Sequence, residues 1–165
     1  MDTFVEQIVA IKKNAKTWLS YCAITLAALI LMTASFLFLR DIFIVLDALI
    51  FWGAFKLYTL LNIEYEYIIT NSTMDIDKII AKSSRKRILS FELTEVERIE
   101  KYNGKLPADV SKNCFFACNP KDENAYIVYY KQDGKPQKTF VFAPNEKTSA
   151  AMKNFLPRFI GESLK

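Results

Sequence analysis

The sequence predicts a membrane α-helical hairpin joined to an α+β domain, in which antiparallel strands form a barrel or sandwich closed by a C-terminal helix. Three observations support this fold class. Two long apolar runs lie between Thr17 and Ile63. After Ile63 the apolar residues alternate, which is typical of strands. One amphipathic segment then follows Asn145, and strands followed by a single helix are the order of an α+β domain.

Composition argues against several classes of function. The chain has 165 residues, a formal net charge of +4 and no histidine. Histidine is the commonest general base and a common transition-metal ligand. The four glycines form no phosphate-binding loop, and we find no nucleophile–base set. We therefore expect neither an enzyme nor a cofactor, and the modest charge gives no reason to expect a nucleic-acid partner.

Residues 1–16 are predicted to form an amphipathic N-terminal helix. Its apolar residues at helical spacing are Phe4, Val5, Ile8, Val9 and Ile11. Glu6, Gln7 and Lys12 fall on the other side. Such a helix can lie on a membrane surface or pack against the soluble domain, and the sequence leaves both placements open.

Residues 17–63 are predicted to form two transmembrane helices, at about 17–39 and 42–63. The first run has no charged residue between Lys16 and Arg40, and it is long enough for a hydrocarbon core of about 30 Å. Asp47 and Lys56 interrupt the second run. A buried soluble helix is the alternative for that run, because its uncharged stretches are short for a span.

A turn at Arg40 and Asp41 makes the two helices antiparallel. Asp47 is then expected beside Thr33 and Ser35. Lys56 falls toward the opposite interface, where its stem can extend into the headgroups.

Charge asymmetry predicts the orientation of this hairpin. The lysines before the first run are Lys12, Lys13 and Lys16, and the basic residues after the second are Lys78, Lys82, Arg85, Lys86 and Arg87. The connecting turn offers only Arg40. By the positive-inside rule, we expect a multi-pass protein of the cell membrane with both termini in the cytoplasm.

Residues 64–165 are predicted to form the cytoplasmic domain. Strands are expected at 64–70, with Tyr65, Tyr67 and Ile69 on one face, at 74–79 with Met74 and Ile76 inward, and at 87–93. Residues 94–102 fit a helical turn or a strand. Further strands are expected at 114–118, 126–131 and 138–143, the last two flanking the Asp133-Gly134 hairpin signal.

The C-terminal helix is predicted to follow Pro144, with Asn145 as its cap. Its apolar stripe comprises Met152, Phe155, Leu156 and Phe159. Pro157 is expected to end or kink the helix. This stripe would close the open end of the strand layer.

Several segments carry a resemblance to known proteins. They are residues 65–71, 74–77, 85–90 and 93–99, together with 6–9, 142–146 and 156–158. These resemble bacterial pleckstrin-homology-like (PH-like) membrane proteins, and more closely an uncharacterised bacterial family of small two-span proteins with a C-terminal PH-like domain. The resemblance implies an architecture and no activity, so it assigns no functional residue.

The densest basic cluster is the candidate binding site. It comprises Lys82, Arg85, Lys86 and Arg87. Near a membrane each such charge attracts anionic headgroups by about 1 kcal/mol. The alternative is a solvated hairpin tip that only helps to set the topology.

Other residue patterns have structural interpretations. Cys114 and Cys118 have no further metal ligands near them in sequence, so we interpret them as small buried residues. Asp75 and Asp77 are interpreted as solvent-facing strand residues, because the rest of a calcium loop is missing. The tyrosines Tyr126, Tyr129 and Tyr130 are expected to pack in the sheet and core.

Two functions remain open. The first is a membrane-anchored PH-like binding or scaffolding module, whose partners are the lipid bilayer and either anionic headgroups or a membrane protein. The second is an accessory subunit of a membrane enzyme or transporter complex.

Overall fold

The computed structural model describes residues 3–107, 110, 114–132, 134 and 136–164. The chain forms two compact units. The sheet unit comprises Met1–Ile11, Glu64–Ile79 and Arg85–Lys165, and the hairpin unit comprises Lys12–Ile63 and Ile80–Ser84. The predicted boundary at residue 64 is therefore incomplete, because the N-terminal segment belongs to the domain that follows the hairpin.

The first sheet of the sheet unit has four strands in the order β1-β2-β3-β4. They are β1 (Phe4–Ala10), β2 (Ile63–Thr70), β3 (Thr73–Ile80) and β4 (Ser84–Glu92). Tyr65, Tyr67 and Ile69 of β2 are buried, as predicted, and so are Met74 and Ile76 of β3.

The predicted N-terminal helix is wrong, because Phe4–Ala10 is a strand. It pairs antiparallel with β2, from Phe4 opposite Thr70 to Ala10 opposite Glu64. The apolar residues fit a helical stripe, but in the strand Phe4 and Ile8 face solvent while Val5 and Val9 are half-buried. A distant partner decides the conformation of a short segment whose local pattern fits both periods.

The register of β1 and β2 shows that the hairpin is an insertion within a β-hairpin. The chain leaves the sheet after Ala10 and re-enters it opposite that residue, at Glu64. Directly opposed residues on antiparallel strands lie about 4.5–5.5 Å apart. The inserted segment therefore begins and ends at one point of the sheet unit.

The second sheet has the order β5-β7-β8-β6. Its strands are β5 (Val96–Lys101), β6 (Cys114–Phe116), β7 (Tyr126–Tyr130) and β8 (Lys138–Phe142). A single 3₁₀ turn, Leu93–Glu95, precedes β5, which resolves the ambiguity in that region. β6 pairs parallel to β8, while β7 is antiparallel to β5 and β8. The two sheets are separate, so the barrel alternative in the predicted fold class is wrong.

Aromatic side chains dominate the core between the sheets. Phe91 stacks on Tyr130 with ring centroids 4.6 Å apart and lies 5.4 Å from Phe140. Tyr67 packs edge-on against Phe142, and its hydroxyl donates a 2.8 Å hydrogen bond to the carbonyl of Ala117. Tyr126, Tyr129 and Tyr130 are buried, as predicted.

The C-terminal segment forms two short helices instead of one. They are α3 (Glu146–Lys153), which Asn145 caps through Thr148 N, and α4 (Arg158–Gly161), which begins after Pro157. Met152 and Leu156 are buried, but Phe159 is 75% exposed. The break at Pro157 rotates the second helix, so Ile160 and Leu164 are buried where a continuous helix would bury Phe159.

The hairpin unit contains α1 (Ala15–Phe38) and α2 (Phe43–Leu60). Asn14 caps α1 by accepting a 2.9 Å hydrogen bond from Thr17 N. Both helices are long and apolar enough to cross a membrane, with mean hydropathies of 2.1 and 1.6. Their side chains are mostly exposed, and Ser35 is the one buried residue of the two helices.

Polar contacts join the two helices at both ends. Ser35 Oγ donates a hydrogen bond to Asp47 Oδ1, close to where the sequence placed Asp47. At the other end, Thr25 Oγ1 and Tyr58 OH are hydrogen-bonded, and the rings of Tyr21 and Tyr58 lie 5.2 Å apart. These contacts fix the register of the helix pair.

Candidate functional site

The structure divides the predicted basic cluster between two environments. Because β4 begins at Ser84, Arg85, Lys86 and Arg87 lie within a strand. Lys82 alone lies in the turn between β3 and β4, and the sequence prediction of a basic hairpin tip was too broad. The side chains of Lys82 and Lys86 are exposed.

The turn that carries Lys82 has an unusual backbone. Ala81 and Lys82 both have a φ of 55°, the left-handed conformation that costs a residue with a Cβ about 1 kcal/mol or more. A 3.2 Å hydrogen bond from Ser83 N to the Ile80 carbonyl closes the turn. Ala81 N donates a 3.0 Å hydrogen bond to the Asn62 carbonyl, just past α2. The turn is therefore held at the end of the helical hairpin.

This contact places Lys82 at the same end of the hairpin unit as the start of α1. We call the lysines at that end the basic collar: Lys12, Lys13, Lys16 and Lys82. The chain has no acidic residue between Glu6 and Asp41, or between Asp47 and Glu64. The other end of the hairpin carries Arg40, Asp41 and Asp47. The collar therefore concentrates positive charge at one end of the unit.

Aromatic rings lie beside the collar. Lys13 Nζ is 4.7 Å from the centroid of the Tyr21 ring, within the range of a cation–π contact. Trp18 packs edge-on against Tyr21, and Tyr21 OH donates a 3.4 Å hydrogen bond to Asn62 Oδ1. Tyrosine and tryptophan next to lysine at the end of an apolar helix are typical of a membrane–water interface.

The arginines of the cluster instead belong to an ionic ladder on the outer face of the first sheet. Arg85 Nη1 lies 3.1 Å from Glu66 Oε2. Arg87 bridges two carboxylates, at 3.0 Å from Asp75 Oδ2 and 3.1 Å from Asp77 Oδ1. Asp75 and Asp77 are therefore partners of Arg87 on this outer face, where Asp75 is partly exposed, and the solvent-facing interpretation is wrong for Asp77 only. Asp77 is buried.

Glu66 is the most buried group of this ladder, with no exposed side-chain area. Burial raises its pKa, a hydrogen bond with Glu6 raises it further, and the Arg85 charge lowers it. The pKa of Arg87 is raised, chiefly by its hydrogen bond with Asp77. Both guanidinium groups are thus paired with carboxylates of the sheet unit, while more than half of each arginine side chain is exposed.

Sequence reasoning missed the ladder and the collar for different reasons. Glu66, Asp75 and Asp77 alternate with apolar core residues, so their shared face could have been read from the strand period. The collar depends on the contact between Ala81 and Asn62, which no local pattern indicates.

The cysteines do not form a reactive or metal-binding site among the described residues. All three are free thiols, with Cys118 buried and Cys114 half-buried. Burial raises the pKa of Cys118 to about 12, so its thiol stays protonated at neutral pH. The described ranges contain no group of three or more side chains arranged to hold a metal ion.

Two four-stranded sheets, two C-terminal helices and an apolar hairpin inserted after the first strand are consistent with a PH-like domain that carries an inserted helical pair. The chain belongs to the family described as Bacterial PH-like domain (DUF6106), whose model matches residues 1–162. The match includes β1 and both apolar helices, so it extends over both units of this chain. No curated protein and no solved structure matches the chain.

Proposed function

We propose that this protein is a membrane-anchored, cytoplasmic PH-like interaction module. Its hairpin crosses the cell membrane twice, both termini lie in the cytoplasm, and the basic collar contacts anionic lipid headgroups. No catalytic step is part of the proposal. The observation that carries it is the insertion point: a pair of apolar helices begins and ends at opposed residues of one β-hairpin, Ala10 and Glu64.

The insertion point supports a two-span topology. A segment whose two ends leave one small sheet must return to the side of the membrane on which it started. Two helices of sufficient length meet this condition, whereas a single span would separate β1 from β2. The collar supports the orientation, because lysines next to a span favour the cytoplasmic side.

The collar is a better headgroup site than the predicted cluster. Its lysines lie on stretches of chain without acidic residues, between Glu6 and Asp41 and between Asp77 and Glu92, and interfacial aromatic rings lie beside Lys13. Arg85 and Arg87 already have carboxylate partners. We therefore assign the lipid contact to Lys12, Lys13, Lys16 and Lys82, and assign Arg85 and Arg87 to the sheet.

Single-cysteine labelling tests the topology. In a version of the chain without native cysteines, Asp41→Cys should react with an impermeant maleimide on intact cells. Ser163→Cys should react only after permeabilisation. Reaction of Ser163→Cys but not Asp41→Cys on intact cells would show that the orientation is reversed.

Fluorescence quenching tests the lipid contact, because the chain has only two tryptophans. In a Trp52→Phe background, Trp18 reports on lipids at the collar. Brominated phosphatidylglycerol should quench it several-fold more effectively than brominated phosphatidylcholine. Alanine at the four collar lysines should remove this preference, since each charge contributes about 1 kcal/mol near the surface.

A matched variant controls for net charge. It replaces four exposed lysines of the sheet unit by alanine: Lys101, Lys121, Lys147 and Lys153. This variant should keep the preference for phosphatidylglycerol. If both variants lost the preference for phosphatidylglycerol equally, the preference would depend on the overall charge of the protein, and the collar assignment would be wrong.

A further inference from the structure

The geometry points to a peptide-binding slot in the sheet unit, between the unpaired edges of β4 and β6, that takes an extended acidic segment of a partner protein. This goes beyond the proposed lipid contact, which uses the hairpin unit. The slot is a groove of about 440 Å³. Its main lining residues are Ile88, Leu89, Phe115, Tyr130, Lys138 and Phe140.

Both walls of the slot are strand edges. β4 is the last strand of its sheet and β6 the last strand of the other. Across the described ranges, no further strand pairs with either edge. The carbonyl of Ser90, on β4, accepts a 3.2 Å hydrogen bond from the Gln132 side chain. This edge therefore already accepts a hydrogen bond from a side chain outside any strand, and no described strand pairs with this edge along the stretch before Ser90.

One part of the β4 edge lacks the residues that usually prevent an edge strand from pairing with another chain. Edge strands normally avoid pairing by carrying charged residues or proline. Arg85, Lys86 and Arg87 protect the first half of β4, but Ile88 and Leu89 follow, and Ile88 is 39% exposed. The floor of the slot is rigid, because Tyr130 and Phe140 are buried and pack against Phe91.

The chemistry of the slot fits one kind of occupant. An added strand gains main-chain hydrogen bonds from the edge, and alternate side chains enter the pocket below it. The apolar lining selects a large apolar side chain at that position. Among the described lining residues, Lys138 is the one that carries a charge, and Lys86 is exposed on the adjoining stretch of β4. The positive charge of these two lysines selects acidic flanking residues in the partner.

A phage-displayed library of random short peptides tests the slot, with the full chain held in phosphatidylcholine nanodiscs. Selection should enrich sequences with one large apolar residue flanked by Asp or Glu. The affinity of an enriched peptide should fall about tenfold or more with Ile88→Glu or Lys138→Glu. Lys101→Glu, which makes the same charge change at an exposed position on β5, should change it less than about twofold. A thermal melt of each variant verifies that it is folded.

Backbone methylation separates strand addition from simple apolar contact. N-methyl groups at alternate positions along one edge of the enriched peptide should abolish binding, and those along the other edge should be tolerated. Failure to enrich any sequence, enrichment of basic sequences, or equal tolerance of methylation on both edges would overturn the proposal. Self-association of the full chain that Ile88→Glu abolishes would assign the slot to a second copy, and would also overturn it.

Discussion

In the hairpin unit, lysines lie at one end of two apolar helices, on stretches of chain that carry no acidic residue. In the sheet unit, Arg85 and Arg87 follow closely in sequence and are held by carboxylates on β2 and β3, respectively. Lys82 and Arg85 belong to one basic cluster in the sequence but to different units in the structure. A dense run of basic residues in the sequence therefore does not show which side chains are free to bind a ligand. The fold determines which of them have ion-pair partners.

The largest expected effect tests whether the two units can be separated. A fragment of residues 64–165 lacks β1, so we expect it to lose most of its stability and give a poorly dispersed NMR spectrum. Joining residues 1–10 directly to Glu64 through an Asn-Gly turn restores the register of Ala10 opposite Glu64. That version should fold and remain soluble. If the fragment and the joined version gave equally dispersed NMR spectra, β1 would not be needed for folding, and the boundary between the two units would lie elsewhere in the chain.

The next effect sharpens the description of the sheet unit's core. Phe91→Ala removes a buried ring that contacts Tyr130 and Phe140, and should cost about 3–5 kcal/mol of unfolding free energy. Phe159→Ala removes a ring that is 75% exposed, and should cost less than about 0.5 kcal/mol. Urea titrations of the joined sheet unit measure both. If Phe159→Ala lowered the free energy of unfolding as much as Phe91→Ala does, the prediction of one continuous apolar stripe on a C-terminal helix would be supported.

A smaller effect on stability is expected from substitutions at two neighbouring basic residues of β4. Arg87→Ala breaks contacts with Asp75 and Asp77 and should cost about 1–2 kcal/mol, since partly exposed pairs contribute at most about 1 kcal/mol each. Lys86→Ala, at an exposed position on the same strand, should be nearly neutral. If both changes lower the melting temperature equally, the ladder contributes nothing beyond strand propensity.

The smallest effect concerns the titration of Glu66. Its pKa is raised in the folded state, chiefly by burial, so stability falls as the pH rises from about 4.3, the ordinary value for Glu, through the folded pKa. Glu66→Gln removes this loss. The variant should melt slightly above the unmodified protein at neutral pH and together with it at low pH. A variant that melts lower at neutral pH would show that the attraction of Arg85 exceeds the cost of burial.

Much of the fold could be predicted because local patterns determined it. The apolar runs predicted the helices, and the alternation around Tyr67 and Ile76 predicted two adjacent strands. Even the placement of Asp47 near Ser35 followed from helix spacing alone. In each case the residues that define an element are consecutive in the sequence.

The remainder depended on contacts between distant residues. The segment from Phe4 to Ala10 becomes a strand because β2 pairs with it across the whole hairpin. The sheets remain separate although the strand order alone fits a closed barrel. The candidate site changed for the same reason: Arg87 has two carboxylate partners on β3, and Lys82 has a position fixed by Asn62.

The position of β1 also has a consequence for biosynthesis. β1 precedes both apolar helices in the chain, and its partner β2 follows them, so at about 5–20 residues per second β1 is synthesised seconds before β2. Under the proposed topology, β1 and β2 meet only if both helices have been inserted and the chain has returned to its starting side. A chain with one inserted helix leaves them on opposite sides of the bilayer, and its sheet unit stays incomplete and open to proteolysis. Under this topology, completion of the sheet unit therefore depends on the insertion of both helices.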